Sequence, residues 1–243
     1  PGHYVSTNGS TSQNQCSPGT YQPYWGQASC LSSTPGNYVS GYAATSQTPA
    51  SPGHYVNSTG ATEDVACMAG TFQPSSGQTS CLDADPGHYV SISGATSQTM
   101  CSPGSYQPNS AQSSCNWASV GHYVFNYAAT AQTPCSKGTY QPTTGQISCL
   151  DASPGHYVNT TGSGSQTQCT PGNYQPLSGQ HKCDLASPGH YVDSYAATDQ
   201  TPCLPGTYNP SNGSTSSDAC LSADPGNSVP DAGSSHQTPC TAG

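Results

Sequence analysis

Thirteen cysteines are the residues of this chain with the most chemical potential, and twelve of them fall into pairs. Cys16 and Cys30, Cys67 and Cys81, Cys101 and Cys115, Cys135 and Cys149, and Cys169 and Cys183 share one spacing, i to i+14; Cys203 and Cys220 have a longer one, i to i+17. Each first cysteine lies three residues before a glycine, and in the five regular pairs the second lies eleven after it. Where the first is absent, so is the second: around Gly53, Ala50 and Asp64 stand in the two positions. Joint presence and absence is the behaviour of bonded partners. Zinc is the competing chemistry of regular cysteines. However, the chain has no Cys-x-x-Cys, and one pair for every two units cannot build a four-ligand site locally. The pairs therefore read as six disulfides, each closing its own unit, in a chain made for an oxidising, extracellular setting. Closing a loop of about 15 residues is worth roughly 3 kcal/mol in the chain-entropy model. Cys240, three before Gly243, is the start of a further pair whose mate would lie beyond the sequence, which reads as a segment of a longer chain.

Other reactive types are weaker candidates. His3, His54, His88, His122, His156 and His190 each follow a repeat glycine, but Asn37 and Asn227 replace histidine in the same slot, and successive copies are too far apart in sequence to share a metal. They are read as structural, and no cofactor is expected. Asp83, Asp85, Asp151, Asp184 and Asp224 gather before Pro-Gly turns without the spacing of any calcium loop. No Ser-His-Asp or Cys-His set recurs, so the chain reads as a non-enzyme. Covalent sugar has firmer support. Asn8-Gly-Ser, Asn57-Ser-Thr, Asn159-Thr-Thr and Asn212-Gly-Ser are acceptor sequons, four or six residues after their unit's glycine and near a turn.

The element that positions all of these is a short repeat. Glycine recurs with a 17-residue period from Gly2 to Gly206, each opening Gly-x-Tyr or, at Gly70, Gly-x-Phe; a three-residue insertion then moves the next to Gly226. A short fixed period means one supersecondary unit copied along a line. Units with the cysteine pair (type A) mostly alternate with units without it (type B), which makes an A/B super-repeat; the exception is the consecutive B units at Gly36 and Gly53. Pro-Gly marks a turn. Short Tyr- and Val-bearing segments, a second Gly-centred turn and a return segment make each unit a small β-hairpin. Tyrosines are expected to stack from unit to unit. The expected fold is all-β with almost no helix: an elongated linear array of about fourteen disulfide-pinned hairpins, with a β-solenoid as the alternative. One continuous array spans 1–243, irregular at 36–66 and 207–226.

Composition fits that picture. Only 31% of residues are hydrophobic and 5% charged, too few for an ordinary packed core. A net charge of −9, with Lys137 and Lys182 the only cations, excludes nucleic acid as a partner. No apolar run is long enough to span a membrane.

The pattern of Cys101-Ser-Pro-Gly-Ser-Tyr-Gln-Pro-Asn-Ser-Ala-Gln-Ser-Ser-Cys115 and its equivalents at Cys16, Cys67, Cys135, Cys169 and Cys203 resembles the ephrin-receptor-like cysteine-rich tandem repeats, which include shaft proteins of algal flagellar mastigonemes. The resemblance implies a secreted structural module. The reading that follows is a segment of a glycosylated extracellular fibre or stalk that associates with copies of itself; the alternative is a cell-surface recognition module for protein or carbohydrate.

Overall fold

The computed structural model describes residues 1–241. Among them are fourteen separate two-stranded antiparallel sheets, the first pairing His3–Tyr4 with Asn14–Gln15 and the last Asn227–Ser228 with Thr238–Pro239. The fold is all-β; the helix consists of one 3₁₀ turn, Ser217–Ala219. Counting each unit from its glycine as position 0, positions 1 and 2 pair with 13 and 12: His88 faces Met100 and Tyr89 faces Thr99, and Thr139 faces Asp151 and Tyr140 faces Leu150. One 17-residue period is thus one hairpin.

The entry to each hairpin is a type II turn. In the Gly19 unit the Thr20 N–H donates to the Ser17 carbonyl at 3.0 Å, with Pro18 and Gly19 at the corner. Proline supplies the first corner dihedral, and Gly19, at φ +84°, supplies the left-handed second one. A second left-handed residue stands at position 7, as in Gly60 at φ +71°. Two such corners in every period leave room for only very short strands, and no two sheets merge among the described residues.

Hairpins are joined by main-chain hydrogen bonds that reach both the next unit and the one after it. From the Gly87 unit, Gly87 N–H donates to the Gln107 carbonyl (2.7 Å) and Val90 N–H to that of Gln112 (3.0 Å), both in the next hairpin. Cys101 N–H returns to the Gly87 carbonyl (2.8 Å), while the Cys101 carbonyl accepts from Ala128 N–H (2.9 Å), two hairpins on. The Gly155 unit repeats the pattern with Gln175, Gln180, Cys169 and Ala196. Alternate hairpins therefore pack on one another, and contact is not confined to sequence neighbours. Position 0 must be glycine for this reason as well. A Cβ on Gly87 would overlap the Ala128 carbonyl oxygen and lie 2.7 Å from its carbon.

The core between hairpins is narrow and made of small residues. Position 3 is buried in nearly every unit, as valine in B hairpins (Val56, Val90, Val158) and glutamine in A hairpins (Gln73, Gln107, Gln141). Position 14 is buried as cysteine, alanine or serine (Cys101, Ala118, Ser33). The position-2 tyrosines are half-buried along the sides. The fully buried positions are therefore aliphatic and polar, and the tyrosine rings are not among them.

Contacts group the chain into two compact units, Pro1–Asn116 with Asn126–Ala131, and Trp117–Phe125 with the stretch from Gln132 onward. The consecutive B hairpins at Gly36 and Gly53 keep the common register. The insertion in the Gly206 unit is taken up in the loop between the strands, which contains the turn at Ser217–Ala219, and Tyr208 pairs with Leu221.

Candidate functional site: staples of the hairpin array

Each of the six cysteine pairs is bonded in the structure, with Cα atoms 5.7–5.9 Å apart. The first cysteine occupies the buried position 14 of one hairpin; the second, in the five regular pairs, occupies position 11 of the following one and is half-buried. A bridge therefore does more than close its own unit. Cys101 is tied through its backbone to Gly87 before it and Ala128 after it, and through sulfur to Cys115 of the Gly104 hairpin. One bridge thus fixes three consecutive hairpins. Cys240 is exposed and unbonded among the described residues.

B hairpins use a hydrogen bond where A hairpins use sulfur. Position 11 carries glutamine, whose Oε1 accepts the backbone N–H two residues before the glycine: Asp85 to Gln98 (2.7 Å), Ser119 to Gln132 (2.7 Å), Ser153 to Gln166 (2.7 Å) and Ser187 to Gln200 (2.6 Å). In the Gly53 unit the Oδ2 of Asp64 does the same for Ser51 N–H at 2.8 Å. The cysteine-free hairpin is thus fastened by a polar group in the same slot.

A second polar group holds the A hairpin from inside. The buried amide of Gln107 donates from Nε2 to the Ser114 carbonyl (2.8 Å) and accepts at Oε1 from Asn109 N–H (3.2 Å). Gln22, Gln73, Gln141 and Gln175 repeat both bonds, and Asn209 keeps the accepting one with Ser211. Composition hid these residues, because glutamine in so polar a chain reads as solvated. The available signal was the Gln-Pro or Asn-Pro dipeptide that follows the aromatic residue of every A unit. No buried side-chain nitrogen or oxygen lacks a partner among the described residues.

The histidines are clasps on the turn. In five of the six, Nδ1 lies 3.2–3.3 Å from the carbonyl of the proline before the glycine; His122 uses Val120 at 3.2 Å. A carbonyl can only accept, so Nδ1 carries the proton. Asn37 reaches the same carbonyl with Nδ2 at 3.5 Å, which explains why asparagine can replace histidine there. Among the described residues no three His, Cys, Asp or Glu side chains are grouped so as to hold a metal. Asp85 and Asp224 accept from Gln98 and Gln237, as turn residues do. No helix of the described residues is long and apolar enough to cross a membrane. The sequon residues Asn8, Asn57, Asn159 and Asn212 are all exposed.

A model of the family described as tyrosine-protein kinase ephrin type A/B receptor-like matches residues 53–101 and 121–169. Both stretches are similar to ephrin-receptor-like repeats. Each repeat comprises one B hairpin and one A hairpin, contains one bridge (Cys67–Cys81 or Cys135–Cys149), and ends on the first cysteine of the next. Ephrin-receptor-like repeats are disulfide-rich modules of an extracellular type, and the two matched stretches suggest a structural or recognition module. No curated protein matches the chain.

Proposed function

We propose that the chain is a segment of a secreted extracellular fibre or stalk, comparable to a mastigoneme shaft, in which copies associate and repeat number sets length. The observation that carries this reading is the uniformity of the fastening. The same main-chain bonds and the same position-11 staple recur from hairpin to hairpin, and among the described residues no hairpin departs from the rest to make a cleft with convergent reactive groups. A chain built this way transmits tension along its backbone and resists reduction of any single bridge. The test is negative-stain microscopy and light scattering on chains secreted by a eukaryotic host. Filaments or lateral bundles that grow with concentration support it, and a compact monomer at every concentration overturns it.

A recognition module for protein or carbohydrate is the second reading. It is favoured by Trp25, which stands 79% exposed at a hairpin tip, and by Tyr42, Tyr127 and Tyr195 at the same position, each 66% exposed. Binding by the monomer that disappears on Trp25→Ala would favour it over the fibre.

A further inference from the structure

Some asparagine side chains among the described residues are committed to hydrogen bonds and others are free, Asn14, Asn109, Asn116 and Asn126 among the free ones outside any sequon. Asn37, Asn173 and Asn209 commit their Nδ2 groups to carbonyls or hydroxyls: Asn37 to Thr34 (3.1 Å), Asn173 to Thr170 (3.2 Å) and Asn209 to the His190 carbonyl (2.9 Å). None of the three sits in an acceptor sequon; Asn209 is followed by proline, which disqualifies it. Asn8, Asn57, Asn159 and Asn212 are the reverse case. All four head a sequon, are exposed, and make no side-chain hydrogen bond among the described residues.

The array also contains its own test of whether a bulky group fits at these places. Asn8 and Asn212 occupy position 6, where Trp25, Tyr42, Tyr127 and Tyr195 project into solvent in other hairpins. Asn57 and Asn159 occupy position 4, where Phe125 is 68% exposed. A large substituent at either position points away from the buried positions 3 and 14, so the hairpin can close after it has been attached. Unmodified, the chain presents many exposed apolar side chains, Trp117, Phe125 and Leu177 among them, with only 5% charged residues to keep it dispersed.

We propose that Asn8, Asn57, Asn159 and Asn212 are N-glycosylated, and that these glycans, not charge, supply the solvation of the array. The donor is an oligosaccharide linked to a lipid pyrophosphate. A bond forms between its anomeric carbon and Asn Nδ2, the anomeric carbon–oxygen bond to pyrophosphate breaks, Nδ2 loses one proton, and the lipid pyrophosphate leaves. This inference rests on the secreted part of the proposed function and is independent of fibre formation.

Secreted full-length chain treated with peptide N-glycosidase in ¹⁸O water is digested and sequenced by mass. The expected result is ¹⁸O-labelled aspartate at all four positions, lost from position 57 in Thr59→Ala and from position 159 in Thr161→Ala, which keep the asparagine but remove the sequon hydroxyl. Two or more of the four unlabelled in a secreted chain overturns the inference, because exposure and a free amide would then not decide the site. Label that persists in the threonine variants also overturns it, since spontaneous deamidation would account for it. A glycosylated chain that stays monomeric removes the fibre and leaves this inference standing, whereas unglycosylated filaments do the opposite.

Discussion

Replacing Gly87 by alanine tests whether the 17-residue glycine register exists for packing between alternate hairpins. Two penalties combine at this residue. Its φ of +80° is left-handed, which for alanine costs about 1–2 kcal/mol. In addition, the new Cβ meets the Ala128 peptide, 2.7 Å from its carbonyl carbon and 3.1 Å from its Cα. That peptide cannot retreat without stretching the Ala128–Cys101 bond (2.9 Å), nor can Gly87 without stretching its bond to Gln107 (2.7 Å). Each such bond is worth about 1 kcal/mol net, so with the dihedral cost the total loss is about 3–4 kcal/mol. Two controls isolate the contact. Gly94 has φ +70° but its Cβ would meet only the His54 ring, at 3.8 Å, and Gly206, at φ +87°, has nothing within 4 Å. Gly94→Ala and Gly206→Ala incur only the dihedral penalty, about 1–2 kcal/mol. The assay is urea unfolding with disulfides intact, with hydrogen exchange at the residue-87 and Ala128 amides, the donors of those two bonds, to locate the damage. If Gly87→Ala loses no more than Gly94→Ala, the carbonyl contact does not matter and the packing of alternate hairpins is wrong.

Further outcomes follow from the staples and corners. Ala43, Ala128 and Ala196 hold the left-handed corner at φ 51–54°, so Ala43→Gly and Ala196→Gly should each stabilise the chain by about 0.5–1 kcal/mol in the same urea assay. Gln107→Leu keeps the volume but strands the Ser114 carbonyl and the Asn109 N–H, and should lose about 2–3 kcal/mol. Ala84 and Gln98 stand where Cys101 and Cys115 stand in the next unit, so the double variant Ala84→Cys, Gln98→Cys should form a seventh bridge, read by thiol titration, and gain roughly 3 kcal/mol.

The sequence showed the hairpins and the bridges because both depend on spacing: cysteines at i and i+14 and a glycine in every 17-residue period admit few other readings. It did not show what each bridge joins. Cys101 counts toward the Gly104 unit by motif, yet its backbone is bonded to the Gly87 hairpin, and main-chain partners such as the Ala128 peptide carry no residue identity to be read. The polar fasteners were hidden for a different reason. Gln98 and Gln107 are the same residue type in the same polar chain, and only position decides that one pins a turn from outside and the other is buried. Ala43 at position 7 concealed a left-handed corner that Gly60 and Gly77 disclose in neighbouring units.

The consecutive B hairpins at Gly36 and Gly53 give the array a mechanical seam. Between Cys30 and Cys67 the chain runs through residues 31–66 with no covalent cross-link, a span nearly twice that of residues 82–100 between Cys81 and Cys101. At position 11 its two hairpins are pinned by the side-chain bonds of Gln47 and Asp64 in place of sulfur. Pulled at its ends, the chain is expected to yield here first, because residues 31–66 can extend while the loops behind each sulfur bridge contribute no slack; force spectroscopy on the oxidised chain checks it by the length of the first extension.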